Sequence, residues 1–550
     1  MIDVALCANR EMLIHGIEPK LKLDNYGFNK LHLDVLKLSE LTEKYHTASI
    51  TKKAANWNVT PLHLAALNPS AKVMQTLLDQ NNDFNVVDNQ NNKPIHYAAC
   101  CETPGALKIL LERGANVFES NMQKKNPLHF AALNSRPENV KLLLENNLMM
   151  LKMRDRQNKT AFVYALESGD IPTIKSFLDN SQGKVKINTG QGIERMTPLM
   201  YAAAQGDIEL AEFLLDNKAR VLGKDKYKRS ALTMAARNGH LRLASILLQQ
   251  GSEWDHQDSS NNTPLHYAAA NGFIELINLL IKHGANVNHQ NSWKVTPITI
   301  AMLNNHIGTV KRLLDEKDVD VNGKDDNGRT LLSLALLNIE ETTCYDFVSY
   351  LLDKGSNPNL GDTSKTGPLH ILAAKIPRLD MSNNKSQVEA TKELKRVQKV
   401  QNDLIDLLLS KGADLTLQND SEKTPFEIAL ELGNINVLER FSKNVSLNKA
   451  PQILHVFSDR VFDQRFSEIL VNLLNQERDL EMKTINVLDK HGFTPFLNFI
   501  KQFVEKLRNG EFSQKMRQLI QFNALKRGQS YSAYTMTNLL LYTCEQDPGY

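Results

Sequence analysis

Cysteine is scarce and scattered. Five occur in 550 residues, Cys7, Cys100, Cys101, Cys344 and Cys544, which excludes a disulfide framework and fits a reducing compartment. Charge of one sign is missing as well. The 65 Lys+Arg and 62 Asp+Glu leave a net charge of +3, so neither a dedicated nucleic-acid binder nor an acidic disordered chain is expected. Long apolar runs are absent. The most apolar stretch, Leu331 to Ile339, has nine residues and contains Ser333 and Asn338, far short of the ~20 that span a bilayer. The first residues show no basic segment followed by an apolar core, so no secretory leader is read. An intracellular, cytoplasmic protein without a membrane span is expected.

Catalytic signatures are missing too. There is no Gly-x-x-x-x-Gly-Lys-Ser/Thr, no His-Glu-x-x-His and no Gly-x-Ser-x-Gly. Cys100-Cys101 has a spacing that suits neither zinc nor thiol exchange, and core placement is expected. The Gly190-Gln191-Gly192 stretch makes no phosphate loop, because no strand precedes it and no Gly-Lys-Ser/Thr follows. The expectation is a protein that is not an enzyme and holds no cofactor and no metal.

What is present is a period. A Thr-Pro-Leu-His-like tetrad opens at Thr60, Lys93, Asn126, Thr160, Thr197, Ser230, Thr263, Thr296, Thr330, Gly367 and Thr424, at spacings of 33, 33, 34, 37, 33, 33, 33, 34, 37 and 57. A twelfth copy opens at Thr494. The unit from Thr263 reads physically as two short helices. Thr263 is placed to cap the first by accepting from its first-turn N–H groups. Pro264 sits at the first helical position, where no N–H is missed. Leu265, Ala268 and Ala269 share a face. Gly272 ends that helix, Leu276, Leu279 and Leu280 build the second, and Gly284 stops it. Neither helix can bury its apolar face alone, so neighbouring units must stack.

A period near 33 with this tetrad resembles the ankyrin repeat. The resemblance covers residues 29 to about 440 well and the rest weakly. It implies an all-α solenoid of stacked helix-turn-helix units with β-hairpin-like fingers, forming a curved, elongated superhelix. It also assigns His63, His96, His129, His266 and His370 to hydrogen bonds between neighbouring turns, and it implies that the chain binds other proteins along the face made by fingers and first helices.

The domain reading has three parts: residues 1–50 with a degenerate capping repeat at Asn29-Lys30-Leu31-His32, an array over 51–441, and degenerate repeats over 442–550 that are incomplete at the C-terminus. The chain is accordingly expected to continue past Tyr550 or to have its end covered by a partner. Two departures lengthen the connections: Asn180 to Arg195 widens a finger, read as a mobile tip, and Asn338 to Asp346 widens the turn between two helices. A third inserts residues 376–399, where Ala390, Leu394, Val397, Leu404 and Leu408 predict that the second helix extends backward and protrudes.

Two sets of residues are candidates for partner binding. Trp57, Tyr227 and Trp293 each lie three residues before a tetrad, at the fingertip, and Trp254 lies in another turn. Each ring either anchors a partner or packs on the next finger. On the inserted helix Lys392, Lys395, Arg396 and Lys399 form either a solvated face or a docking prong. The preferred reading is a non-catalytic scaffold for one or more proteins, with no specific nucleic acid, working as part of a larger complex. The alternatives are a regulatory or targeting arm of a larger enzyme, channel or ligase, and a structural part of a cytoskeletal or ciliary assembly.

Overall fold

The computed structural model describes residues 30–37, 51–54, 57–81, 83–337, 344–377, 387–444 and Ile469. The readings made for 442–550 lie outside these residues, apart from their first three positions and Ile469, as does most of the widened turn at 338–346. Two compact units divide the chain, Met1–Ser292 and Trp293–Tyr550.

Among the described residues of the first unit, helix Lys30–Lys37 precedes seven helix pairs. These are Pro61–Ala65 with Ala71–Gln80, Pro94–Cys100 with Gly105–Glu112, Pro127–Leu133 with Pro137–Asn146, and Ala161–Ser168 with Ile171–Asn180. Pro198–Gln205 with Ile208–Asp216, Ala231–Asn238 with Leu241–Gln249, and Pro264–Ala270 with Ile274–Lys282 follow. The second unit holds Pro297–Leu303 with Ile307–Leu313, Leu331–Leu337 with Cys344–Asp353, Pro368–Ala374 with Gln387–Ser410, and Pro425–Leu432 with Ile435–Phe441. Within each unit, first helices pack on first helices of the neighbouring repeat.

Small residues permit that close stacking. Ala98, Ala99, Ala131, Ala132, Ala268 and Ala269 are fully buried. The second helices close the core with leucine: Leu110, Leu214 and Leu280 are at 0 % exposure, each worth ~1.5–3 kcal/mol of burial, while Leu111, Leu215 and Leu279 are half-buried. Cys100, Cys101 and Cys344 are buried free thiols, as expected for the adjacent pair. Helix Lys30–Lys37 behaves as a first repeat: His32 is buried and its Nε2 donates to the Val59 carbonyl at 3.1 Å.

The inserted segment does extend the second helix backward, into the 24 residues Gln387–Ser410. Its C-terminal half is core, with Leu404, Ile405 and Leu408 buried. Buried Gln401 pins it by donating to the Leu372 and Lys375 carbonyls, both at 2.7 Å.

Two expectations need correction. The Thr263 hydroxyl does not accept from the first-turn backbone. It pairs instead with Nδ1 of His266 at 2.9 Å, and the Thr263 N–H donates to the same nitrogen at 3.2 Å. The imidazole takes over the cap because it can face the hydroxyl and the N–H together. At Ser230, where the third helical residue is Thr233, the expected cap is made: Ser230 accepts from the Thr233 N–H at 3.2 Å. The fingers, second, are turns rather than strand pairs. Among the described residues one isolated antiparallel bridge occurs, Gln191 with Met196.

Candidate partner-binding surface

Each finger is built on one side chain. Five residues before most tetrads the chain turns around a residue placed at Asp88, Asn121, Asp155, Asp225, Asp258, Asp325, Asp362 or Asn419. In the finger of Asp258, Oδ1 accepts from the N–H groups of Ser260 and Asn262 at 2.8 and 2.9 Å. This Asx geometry replaces a backbone turn. It also buries a carboxylate, which then needs a donor for Oδ2.

Asn92 and Asn262 Nδ2 reach Oδ2 of Asp88 and Asp258 at 2.9 and 3.3 Å, and the sequence supplies a shorter bond to that oxygen in two ways. Tyr97, Tyr164 and Tyr267, nine residues on, donate their hydroxyls to Asp88, Asp155 and Asp258 at 2.7, 2.5 and 2.6 Å. Where that later position is apolar, as at Met234 and Leu334, an arginine four residues on takes over. Arg229 and Arg329 donate through Nε to Asp225 and Asp325 at 2.7 and 2.9 Å. Where neither donor exists, the turn residue is an amide: Asn121 with Phe130 nine residues on, and Asn419 with Ile428. Asn121 then donates to Oδ1 of Asn92 in the preceding finger at 3.0 Å. Asp362 departs from the rule, with Ile371 at the later position. Burial, and then the bond to Asp258, pushes the Tyr267 hydroxyl up to about 12.

Backbone bonds tie most tips of the first unit to a neighbour. Asn89 N–H donates to Trp57 O at 3.0 Å, Met122 to Gln90 at 2.8 Å, Arg156 to Gln123 at 2.9 Å, Lys226 to Glu194 at 2.7 Å and Ser259 to Tyr227 at 2.8 Å. The long finger at 180–195 is held in the same way. Asn188 Oδ1 accepts from Arg220 N–H at 2.7 Å, and Gln191 N–H donates to Met196 O at 2.7 Å. The mobile tip expected there is a hydrogen-bonded turn. Beneath the tips the tetrad histidines bridge repeats: Nε2 of His63, His129 and His370 donates to the carbonyls of Asn92, Lys159 and Lys423 at 3.0, 3.2 and 3.1 Å. Burial holds His63, His96 and His129 down at about 4.

Against this frame the candidate aromatics separate. Trp57 is half-buried. Tyr227 is 42 % exposed, with the Arg229 guanidinium 4.9 Å and the Lys226 ammonium 5.8 Å from its ring centre. Trp254 is 41 % exposed and lies over Gly284 of the next repeat, where an added Cβ would meet its Nε1 at 3.7 Å. Trp293 is 55 % exposed, and its carbonyl accepts from Asp326 N–H at 3.2 Å. Trp57, Tyr227 and Trp254 belong to separate turns and form no single cluster. Lys392, Lys395, Arg396 and Lys399 are all exposed on one face of helix Gln387–Ser410, at spacings of three, one and three residues.

No group of side chains with metal-ligand geometry occurs among the described residues. Among the same residues no helix is long and apolar enough to cross a membrane.

The family model for ankyrin repeats, three copies long, matches residues 29–121, 118–189, 168–258, 199–291 and 265–362. Among curated proteins the chain is 30 % identical to the poly [ADP-ribose] polymerase tankyrase of Caenorhabditis elegans, over 92 % of this chain and 24 % of that protein. It is 29 % identical to an ankyrin repeat protein of Rickettsia felis, over 22 % of this chain and 45 % of that protein. The chain thus spans about a quarter of the tankyrase relative, and its match to the second covers less than half of that protein.

Proposed function

The chain belongs to the ankyrin-repeat family, and from that premise we propose that it is a non-catalytic scaffold holding one or more protein partners along its fingertips. The observation that carries this reading is Trp293. Its backbone is bonded into the tip, yet its indole stays 55 % exposed. A large aromatic on a fixed backbone loses little conformational freedom on binding, and such side chains are the commonest interface anchors. The buried free thiols Cys100, Cys101 and Cys344 support an intracellular setting.

The test is capture of partners from native lysate by the tagged chain, read by quantitative mass spectrometry. Trp293→Ala should weaken capture while the helical circular dichroism stays unchanged. Unchanged capture would overturn the assignment of this tip.

A second reading is favoured by the tankyrase alignment, which runs through 92 % of this chain. In it the array is the recruiting arm of a larger polypeptide, and poly(ADP-ribose) polymerase chemistry resides elsewhere in that polypeptide. Peptides extending past Tyr550 in the native protein would support it, and a native chain ending there would remove it.

A further inference from the structure

Two residues before each tetrad among the described residues the backbone is left-handed. Asn58, Asn91, Asn158 and Asn261 occupy that position at φ of 53 to 61°, and Gly328 at 72°. Those residue types adopt it at least cost. Lys124, Arg195 and Lys228 occupy it at 59, 58 and 60°. Three of four consecutive fingers of the first unit therefore carry a long cation where the backbone favours Asn or Gly, and the fourth holds Asn158. All three side chains are exposed.

The surrounding charge has the same sign. Arg154, Arg156 and Lys226 are exposed on the same tips. Carboxylates there are turned inward or held. Asp155 and Asp225 are buried in their turns, bonded to Tyr164 and Arg229, and Glu194 is bonded to Arg229 at 2.5 Å. Apolar side chains interleave with the cations: Met122, Ile193 and Tyr227 are 51, 59 and 42 % exposed. The bonds from Arg156 N–H to Gln123 O and from Lys226 N–H to Glu194 O fix tips in register.

We propose that the fingertip stripe from Met122 to Lys228 binds an extended acidic polypeptide segment of a partner protein. This deepens the scaffold reading and rests on it. Stacked layers repeat at about 10 Å, which equals about three residues of extended chain at ~3.3 Å each. Carboxylates at every third position of the segment reach successive fingers, and apolar residues between them cover Met122, Ile193 and Tyr227. A single-stranded nucleic acid fits less well. Base stacking needs flat faces, and of these three side chains only that of Tyr227 has one.

The probe is a fluorescein-labelled peptide of five Glu-Asp-Leu repeats, read by fluorescence anisotropy against the full chain at low and physiological salt. A labelled oligothymidylate of equal length is the rival. In the triple variant Lys124→Asn, Arg195→Asn, Lys228→Asn the new residues suit the left-handed backbone, so the melting temperature holds or rises. Peptide affinity should fall by about ten-fold or more, since charge complementarity is lost. Lys365→Asn, at the same backbone position with φ of 57° in the second unit, should leave it unchanged. Wild-type affinity in the triple variant, or tighter binding of oligothymidylate at physiological salt, would overturn the proposal. Lysate capture that persists in the triple variant and is lost in Trp293→Ala would leave the scaffold reading standing while this inference falls.

Discussion

The Tyr267 hydroxyl donates to Oδ2 of Asp258 at 2.6 Å, across the finger and the start of the helix it feeds. The bond completes a buried carboxylate whose other oxygen already accepts two backbone N–H groups. Removing it by Tyr267→Phe leaves Oδ2 with the longer bond from Asn262 Nδ2 at 3.3 Å and should cost ~1–2 kcal/mol, the net worth of a hydrogen bond to a charged group. Adding Asp258→Asn should recover part of that loss, because an amide oxygen at this position needs no further donor. Asn121 with Phe130 is that solution already present in the chain. Thermal unfolding of the single and double variants decides it, and equal instability of both would sink the argument.

The arginine form of the same device should be the harder one to remove. Arg229 is buried, bonded to both Asp225 and Glu194, and stacked near Tyr227. Arg329 bonds Asp325 alone and is one-third exposed. Arg229→Ala leaves a buried charge unpaired, a loss of ~3–5 kcal/mol. Arg329→Ala exposes its carboxylate to water and should cost less. Amide exchange at the two fingers, measured in each variant, checks the order.

Much of the frame was legible in the sequence because it is local. The tetrad, its proline, the Leu-Leu pairs and the backward extension to Gln387 all follow from short-range helix rules. The finger chemistry was not legible in the same way. Asp258 and Tyr267 lie nine residues apart across a turn and a helix start, so no helix or strand period relates them. Only laying the repeats side by side shows that Asp, apart from Asp362, goes with a later Tyr or Arg and Asn with neither. The Thr263 cap was misread because hydroxyl and imidazole compete for the same place, and only the ring's position decides between them. The basic stripe escaped because its cations are a repeat apart and make no run of charge. For the aromatics, register could place Trp57 and Trp293 at tips, but their different burial depends on neighbours that register does not contain.

Acid should loosen some repeats before others. His96 and His129 are held at about 4, chiefly by burial, against 6.5 in an open chain. Above pH 6.5 both states are neutral and contribute no slope. Between pH 6.5 and 4 the unfolded chain binds protons that the folded one refuses. Stability therefore falls with falling pH, by up to ~1.4 kcal/mol per pH unit for each group. The chain carries its own control, because Thr233 occupies the histidine position in helix Ala231–Asn238. Hydrogen exchange at pH 7 and 5, corrected for intrinsic rates, should show protection falling more in Pro94–Cys100 and Pro127–Leu133 than in Ala231–Asn238. An equal fall would mean that carboxylates, not these rings, set the acid limit.

Glycines that end helices should not be equivalent. Gly206 and Gly251 are both left-handed, at φ of 76 and 87°. An added Cβ at Gly251 meets nothing within 4 Å, whereas at Gly206 it lies 2.4 Å from Nδ1 of His240. Gly251→Ala should therefore carry the backbone term alone, ~1–2 kcal/mol. Gly206→Ala adds a collision with a ring that cannot simply swing away, because His240 Nε2 donates to the Ala204 carbonyl at 3.1 Å. Its cost should exceed that of Gly251→Ala by at least the ~1 kcal/mol that such a bond contributes. Double substitution with His240→Ala separates the two terms. It removes the ring, and the remaining penalty at Gly206 should then match the one at Gly251 in thermal unfolding. A penalty that stays high without the ring would place the strain in the backbone rather than in the contact between repeats.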